Sequence, residues 1–163
     1  MAAWWMIALV ASILVSTIVA LAWRPIRARM RENELSRARK DFHRHREHLE
    51  ARFLRLASSS GKPRGLEWVR CDFDDDVLYA RHRTSGELSA FVSVTIGFEA
   101  VEGGGMEEVE AVSNLRSATA VFRVERGIWA TDGRALFNLN PTEAINYYQD
   151  NLELVGQEFA HHG

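Results

Sequence analysis

Three groups of residues in this chain are of types that could do chemistry. Asp72, Asp74, Asp75 and Asp76 could hold a divalent cation. A calcium-binding loop of the EF-hand kind beginning at Asp72 would need glycine at 77 and glutamate at 83, and the chain has Val77 and Arg83. Aspartates between two extended runs are ordinary turn chemistry, so they read as a strand-to-strand turn. Cys71 and His82 are the types of a nucleophile and its base. With the aspartates as the turn, Cys71 would lie opposite Leu78 or Tyr79, and His82 about 10 Å further along at the strand rise, too far for activation. His43, His45 and His48 fall in a helical stretch where His45 and His48 share a face, which permits a metal but reads more simply as a polar face. Gly61-Lys62 lacks the upstream glycine and the following hydroxyl of a phosphate loop. No nucleophile elbow, dinucleotide fingerprint or supported carboxylate pair is present. The sequence therefore assigns no catalytic residue, no cofactor and no metal.

The elements around these residues are better defined. The chain has 163 residues and a single cysteine, which rules out an intramolecular disulfide. Its net charge of −2 conceals a segregation. Residues 1–23 carry no charge, residues 24–56 carry eleven Lys and Arg against five Asp and Glu, and residues 57–163 carry nine against seventeen. Ala2 to Trp23 would make a helix of about 33 Å, enough to cross a hydrocarbon core of about 30 Å. Trp4, Trp5 and Trp23 stand where interfacial aromatics belong. Ala20-Leu21-Ala22 resembles a signal-peptidase site, but no basic residue precedes the apolar run. Arg24, Arg27, Arg29 and Arg31 follow at once and would sit at the membrane surface, holding the C-terminal bulk in the cytoplasm. Ala8, Ser12, Ser16 and Ala20 recur every fourth residue, a small-residue stripe suited to helix self-association and a homodimer.

Residues 24–57 read as a basic helical stalk, with Pro25 either opening a new helix or kinking a continuous one. Leu35, Phe42, Leu49 and Leu56 are seven apart, one line of a coiled-coil seam or a stripe that docks on the chain's own domain. Nucleic acid is not indicated, since no aromatic interleaving accompanies the basic charge. Residues 58–65, rich in Ser and Gly, read as a linker.

Residues 66–163 read as a soluble α+β domain with a four- to five-stranded antiparallel sheet covered by a C-terminal helix. Leu88 to Ala100 alternates apolar and polar. Thr84-Ser85-Gly86 turns the chain into that strand, and Glu102-Gly103-Gly104-Gly105 turns it back. A hairpin there would pair Phe98 with Val109, Ile96 with Ala111 and Val92 with Leu115. That register sets Phe91, Glu99, Asn114, Arg116 and Phe122 on the second sheet face, a candidate ligand or partner surface. Glu125-Arg126-Gly127 makes a further turn, and Ile128–Leu139 a last strand broken at Asp132-Gly133. Asn140, Pro141 and Glu143 carry the marks of a helix start. Ile145, Tyr148, Leu152, Val155 and Phe159 then continue as one helical stripe.

The run GLEWVRCDFDDDVLYAR, TSGELSAFVSVTIGFEAVEGGGMEEVEAV, LRSATAVF and WATDGRALFNLNPTEAI resembles the soluble half of an uncharacterised family of single-span bacterial membrane proteins, over about residues 61–148. The resemblance implies a bacterial inner-membrane location and no activity. A curved sheet with helices and a Gly-x-Trp strand is also similar to NTF2-like cones, which implies a tethered small-ligand-binding domain as the alternative to a non-enzymatic interaction or scaffold module with a protein partner.

Overall fold

The computed structural model describes residues 2–60, 65–105 and 115–160. The chain divides into two compact units, Met1–His43 and Arg44–Gly163. One helix, α1, runs from Ala2 to Ser60 with Pro25 inside it. Residues 58–60 are therefore helical, where a linker was expected, and residues 61–64 lie outside the described residues.

In the first unit the apolar side chains of α1 from Trp4 to Leu21 are exposed on every side. This helix is long and apolar enough to cross a membrane. Two of its hydroxyls are satisfied within the helix. Ser16 donates to the Ser12 carbonyl at 2.8 Å and Thr17 to the Ile13 carbonyl at 2.7 Å, so neither carries an unpaired proton. The Arg27 guanidinium lies 6.0 Å from the Trp23 ring, within cation–π range. Further along this unit, Leu35 and Phe42 are buried.

The second unit is built on an antiparallel sheet. Its strands are β1 (Leu66–His82), β2 (Leu88–Ala100), β3 (Arg116–Glu125), β4 (Ile128–Ala130), β5 (Ala135–Phe137) and β6 (Leu152–Glu158). They lie in the order β4-β3-β2-β1-β6, and β5 also pairs with β3. The alternation of β2 is realised, and its residues alternate between two covered faces. One face carries Val77, Tyr79, Ala90, Val92, Val94, Ile96, Ala118, Ala120 and Phe122, all buried. The last part of α1 closes it. Phe53 is fully buried there, with its ring 5.6 Å from Phe73 and 5.9 Å from Phe122. On the other face, Leu78, Ala80, Phe91 and Val121 pack under Ala144 and Ile145 of a short helix, α2 (Pro141–Tyr147), with Leu136, Leu139 and Leu152 at the margin.

Three expectations are corrected. First, Asp72–Asp76 is no turn. β1 is continuous, and Asp74, Asp75 and Asp76 bulge out opposite Ser93, because Phe73 pairs with Val94 and Val77 with Val92. The segments before and after the aspartates both pair with β2, so they cannot be a hairpin with each other. Second, the β2–β3 register is five residues further on than expected: Val92 pairs with Ala120 and Ile96 with Arg116. β2 ends at Ala100 and β3 begins at Arg116, so Gly103–Gly105 do not set the register. Val109 and Ala111 lie outside the described residues. Third, the C-terminal helix stops at Tyr147. Tyr148 to Asn151 turn the chain, and β6 then pairs with the second half of β1, setting Gly156 beside Tyr79. The open edge of β1 offers backbone partners that outweigh a helical spacing already weakened by a central glycine, worth about 1 kcal/mol. Among the described residues the sheet thus has six strands, and the last element is a strand, not a helix.

The local signals hold. Asn140 caps α2, with the Glu143 N–H donating to its side chain at 2.8 Å and the Asn140 N–H donating to the Glu143 carboxylate at 2.9 Å. Arg126 and Gly127, with φ of 52° and 82°, form the two-residue turn whose twist suits a hairpin between β3 and β4.

Candidate functional site

The aspartates are used as structure. The Arg46 guanidinium, on α1, donates to the carbonyls of Asp74 and of Asp75, and pairs with Glu50 at 2.7 Å. The Ala160 N–H donates to Asp76 Oδ1 at 2.7 Å, tying the chain beyond β6 to the bulge. Among the described residues no three His, Cys, Asp or Glu side chains converge as metal ligands. His43, His45 and His48 are exposed. His82 Nδ1 accepts from the Ser85 N–H at 3.2 Å, a turn-closing contact.

Cys71 and His82 lie eleven residues apart on one strand, facing Ile96 and Leu152 respectively. Burial, reinforced by the negative charges of Asp72 and Glu50, pushes the Cys71 thiol up to about 12. A group so placed stays protonated at neutral pH, the opposite of what a nucleophile needs.

The shift of register separates the predicted surface residues. Phe91 pairs with Val121 on the face covered by α2, and Phe122 pairs with Ala90 on the face covered by α1; both are buried. Glu99 is exposed opposite Glu67. Arg116 is exposed and lies on the face of Ile96 and Phe122. Asn114 lies outside the described residues. An odd change of register sends alternate side chains to opposite faces, so Phe91 and Glu99 no longer share a face with Arg116 and Phe122. In the first unit Ala8, Ser12, Ser16 and Ala20 are exposed along one line of α1, as are Arg27, Arg29 and Arg31 beyond it; Arg24 lies within the helix.

Among the described residues, exposed apolar side chains stand on the far half of the face that α2 covers in part. Here a Cβ built on Gly97 would lie 3.2 Å from Cβ of Arg70, which is paired with Asp72, 3.5 Å from Leu115 and 3.8 Å from Val69, and the last two side chains are 57% and 51% exposed. Glu67 and Glu99 stand beside this apolar spot as facing like charges, an arrangement that does not stabilise a sheet on its own account. Sequence reading missed the patch because Val69 sits at a register shift, which strict alternation does not describe.

No protein-family model, curated protein or solved structure matches this chain.

Proposed function

We propose that this chain is a single-span membrane protein whose Arg44–Gly163 unit is a non-enzymatic interaction module on the cytoplasmic side. The observation that carries the anchor is the all-round exposure of Ile7, Ile13 and Val19, which point in three directions about the axis and are 66%, 59% and 46% exposed, on a helix with no charge before Arg24. Side chains of this size left in water would each forfeit about 1.5–3 kcal/mol of transfer free energy, and lipid removes that cost. The arginines after the span favour retention on the cytoplasmic side and contact with anionic headgroups. The small-residue line through Ser12 and Ser16 suits pairing of two anchors in the bilayer, because the hydroxyl of Ser16 is already satisfied within its own helix.

The module's working surface in this reading is the patch of Val69, Gly97 and Leu115 flanked by Glu67 and Glu99. Its chemistry fits a protein partner with an apolar centre and a basic group facing Glu67 and Glu99, while Arg70 is occupied by Asp72. Two measurements test the reading. Thr84→Cys in a Cys71→Ser background should react with a membrane-impermeant maleimide only after the membrane is opened. A photo-crosslinking residue at Val69 or Leu115 should capture a discrete partner in native membranes, whereas one at Ser85, in the β1–β2 turn, should not. Labelling of Thr84→Cys in intact cells, or equal capture from all three positions, overturns it.

A further inference from the structure

We propose that Trp68, Phe98 and Phe137 form a closed binding site for a small apolar anion, a carboxylate on a hydrocarbon body, with Phe137 as its gate and Arg116 at its mouth.

Trp68 and Phe98 face each other across β1 and β2, with ring centroids 5.6 Å apart and edge to face. Phe137, on β5, completes the cluster at 6.3 Å from Trp68 and 6.4 Å from Phe98. Trp68 is only 9% exposed, and its Nε1–H is buried without a hydrogen-bond partner. Native interiors leave few such donors unpaired, because a buried N–H without an acceptor loses its hydration and gains nothing in exchange. The cluster's other two members, Phe98 and Phe137, are hydrocarbon rings that offer this donor no acceptor, and an entering molecule with an acceptor atom would supply one.

Two further features give that molecule its class and its route. Arg116 pairs with Ile96, the residue two before Phe98 on β2, and stands two before Ala118, the partner of Phe137. It is therefore on the sheet face of the cluster. It is exposed and makes no ion pair among the described residues. An indole N–H within and a guanidinium outside are both donors, which favours an anionic head, while three rings favour an apolar body. An aromatic cluster alone would equally suit a cation, and the two donors are what decide against one. Phe137 is the least buried of the three rings, on a strand of three residues, and Asn138 after it has φ of 59°. Rotation of this one side chain opens the cluster while the paired β1 and β2 stay in place.

The test uses the full chain in lipid nanodiscs, with 5-fluorotryptophan in place of tryptophan, and follows the fluorine resonances. Trp68→Phe assigns the Trp68 line; should that variant fail to fold, its response to Phe137→Leu assigns it. Octanoate should move the Trp68 line saturably and leave that of Trp129 unmoved. Octyltrimethylammonium at the same concentration should not move the Trp68 line. Arg116→Gln should weaken octanoate binding about tenfold, the loss of one charge-assisted contact, and Phe137→Ala should strengthen it. No saturable movement, an equal response to the cation, parallel movement of Trp129, or full affinity in Arg116→Gln overturns the proposal.

Discussion

Replacing Phe53 by alanine tests whether the last part of α1 is the lid of the sheet core or merely a stalk. Phe53 is fully buried between Phe73 and Phe122, so its removal deletes a complete aromatic side chain and leaves a cavity under the helix. Substitutions of this kind cost about 3–5 kcal/mol, and the two ring contacts argue for the upper half of that range. Leu54, next in sequence, is 38% exposed and serves as the control; its truncation should cost under about 1.5 kcal/mol. The assay is urea unfolding of the full chain in nanodiscs, read by pulsed alkylation of Cys71. This thiol lies within the sheet, so it reports the domain and not the anchor. At a urea slope of about 1–3 kcal/mol/M, Phe53→Ala should lower the midpoint by about 1.3 M or more. The midpoint should not depend on protein-to-lipid ratio, because the contact is within one chain. Equal midpoints for Phe53→Ala and Leu54→Ala would refute docking. A wild-type midpoint that climbs with protein density would show that the stripe is stabilised by a second copy.

Gly133→Ala should destabilise by more than about 2 kcal/mol in the same assay, since φ is +76° and a Cβ there would lie 2.6 Å from the Ala57 backbone nitrogen and 2.7 Å from Leu56 Cβ. Alkylation of native Cys71 should keep rising about tenfold per pH unit above pH 9, where an ordinary thiol levels off, because the thiolate forms only as the pH approaches about 12. In urea the levelling should return to near pH 9, and a native rate that also levels there would contradict the burial argument. Asn140→Ala should cost about 1 kcal/mol by leaving the Glu143 N–H without its cap, read as a lowered urea midpoint, while Asn140→Asp should not.

Features written in neighbouring residues were legible. The uncharged run to Trp23, the alternation of Leu88–Ala100, the Arg126-Gly127 turn and the Asn140–Glu143 capping box are each fixed by contacts within a few positions. Features that depend on distant partners were not. Ile145, Tyr148, Leu152 and Val155 have helical spacing, yet Leu152 onward becomes a strand because Val77–His82 has an edge to complete. The aspartates have turn composition, yet Arg46, 28 residues before Asp74, holds them as a bulge. The five-residue error between β2 and β3 came from assigning the reversal to the nearest glycines, and it scattered the candidate surface between two faces. Arg116 was visible as a candidate, but Trp68 was not. A tryptophan in a strand is unremarkable until packing removes every acceptor from its N–H.

The stripe on α1 shows how a seven-residue line can be read two ways. Leu35, Phe42, Leu49 and Leu56 suggest a seam at 3.5 residues per turn, which requires two helices to wind around each other. A straight helix drifts by about 20° per heptad from such a seam. Within the second unit the buried positions follow the drift: Leu49, Phe53 and Ala57 are buried, while Leu56 is only half-buried. Steps of four carry the line toward the residues that face Phe73 and Phe122, where a strict heptad would have kept Leu56 at the centre. From Leu49 onward the helix therefore follows the sheet beneath it and not a partner helix, and any pairing of two copies in this reading falls to the small-residue line of the membrane segment.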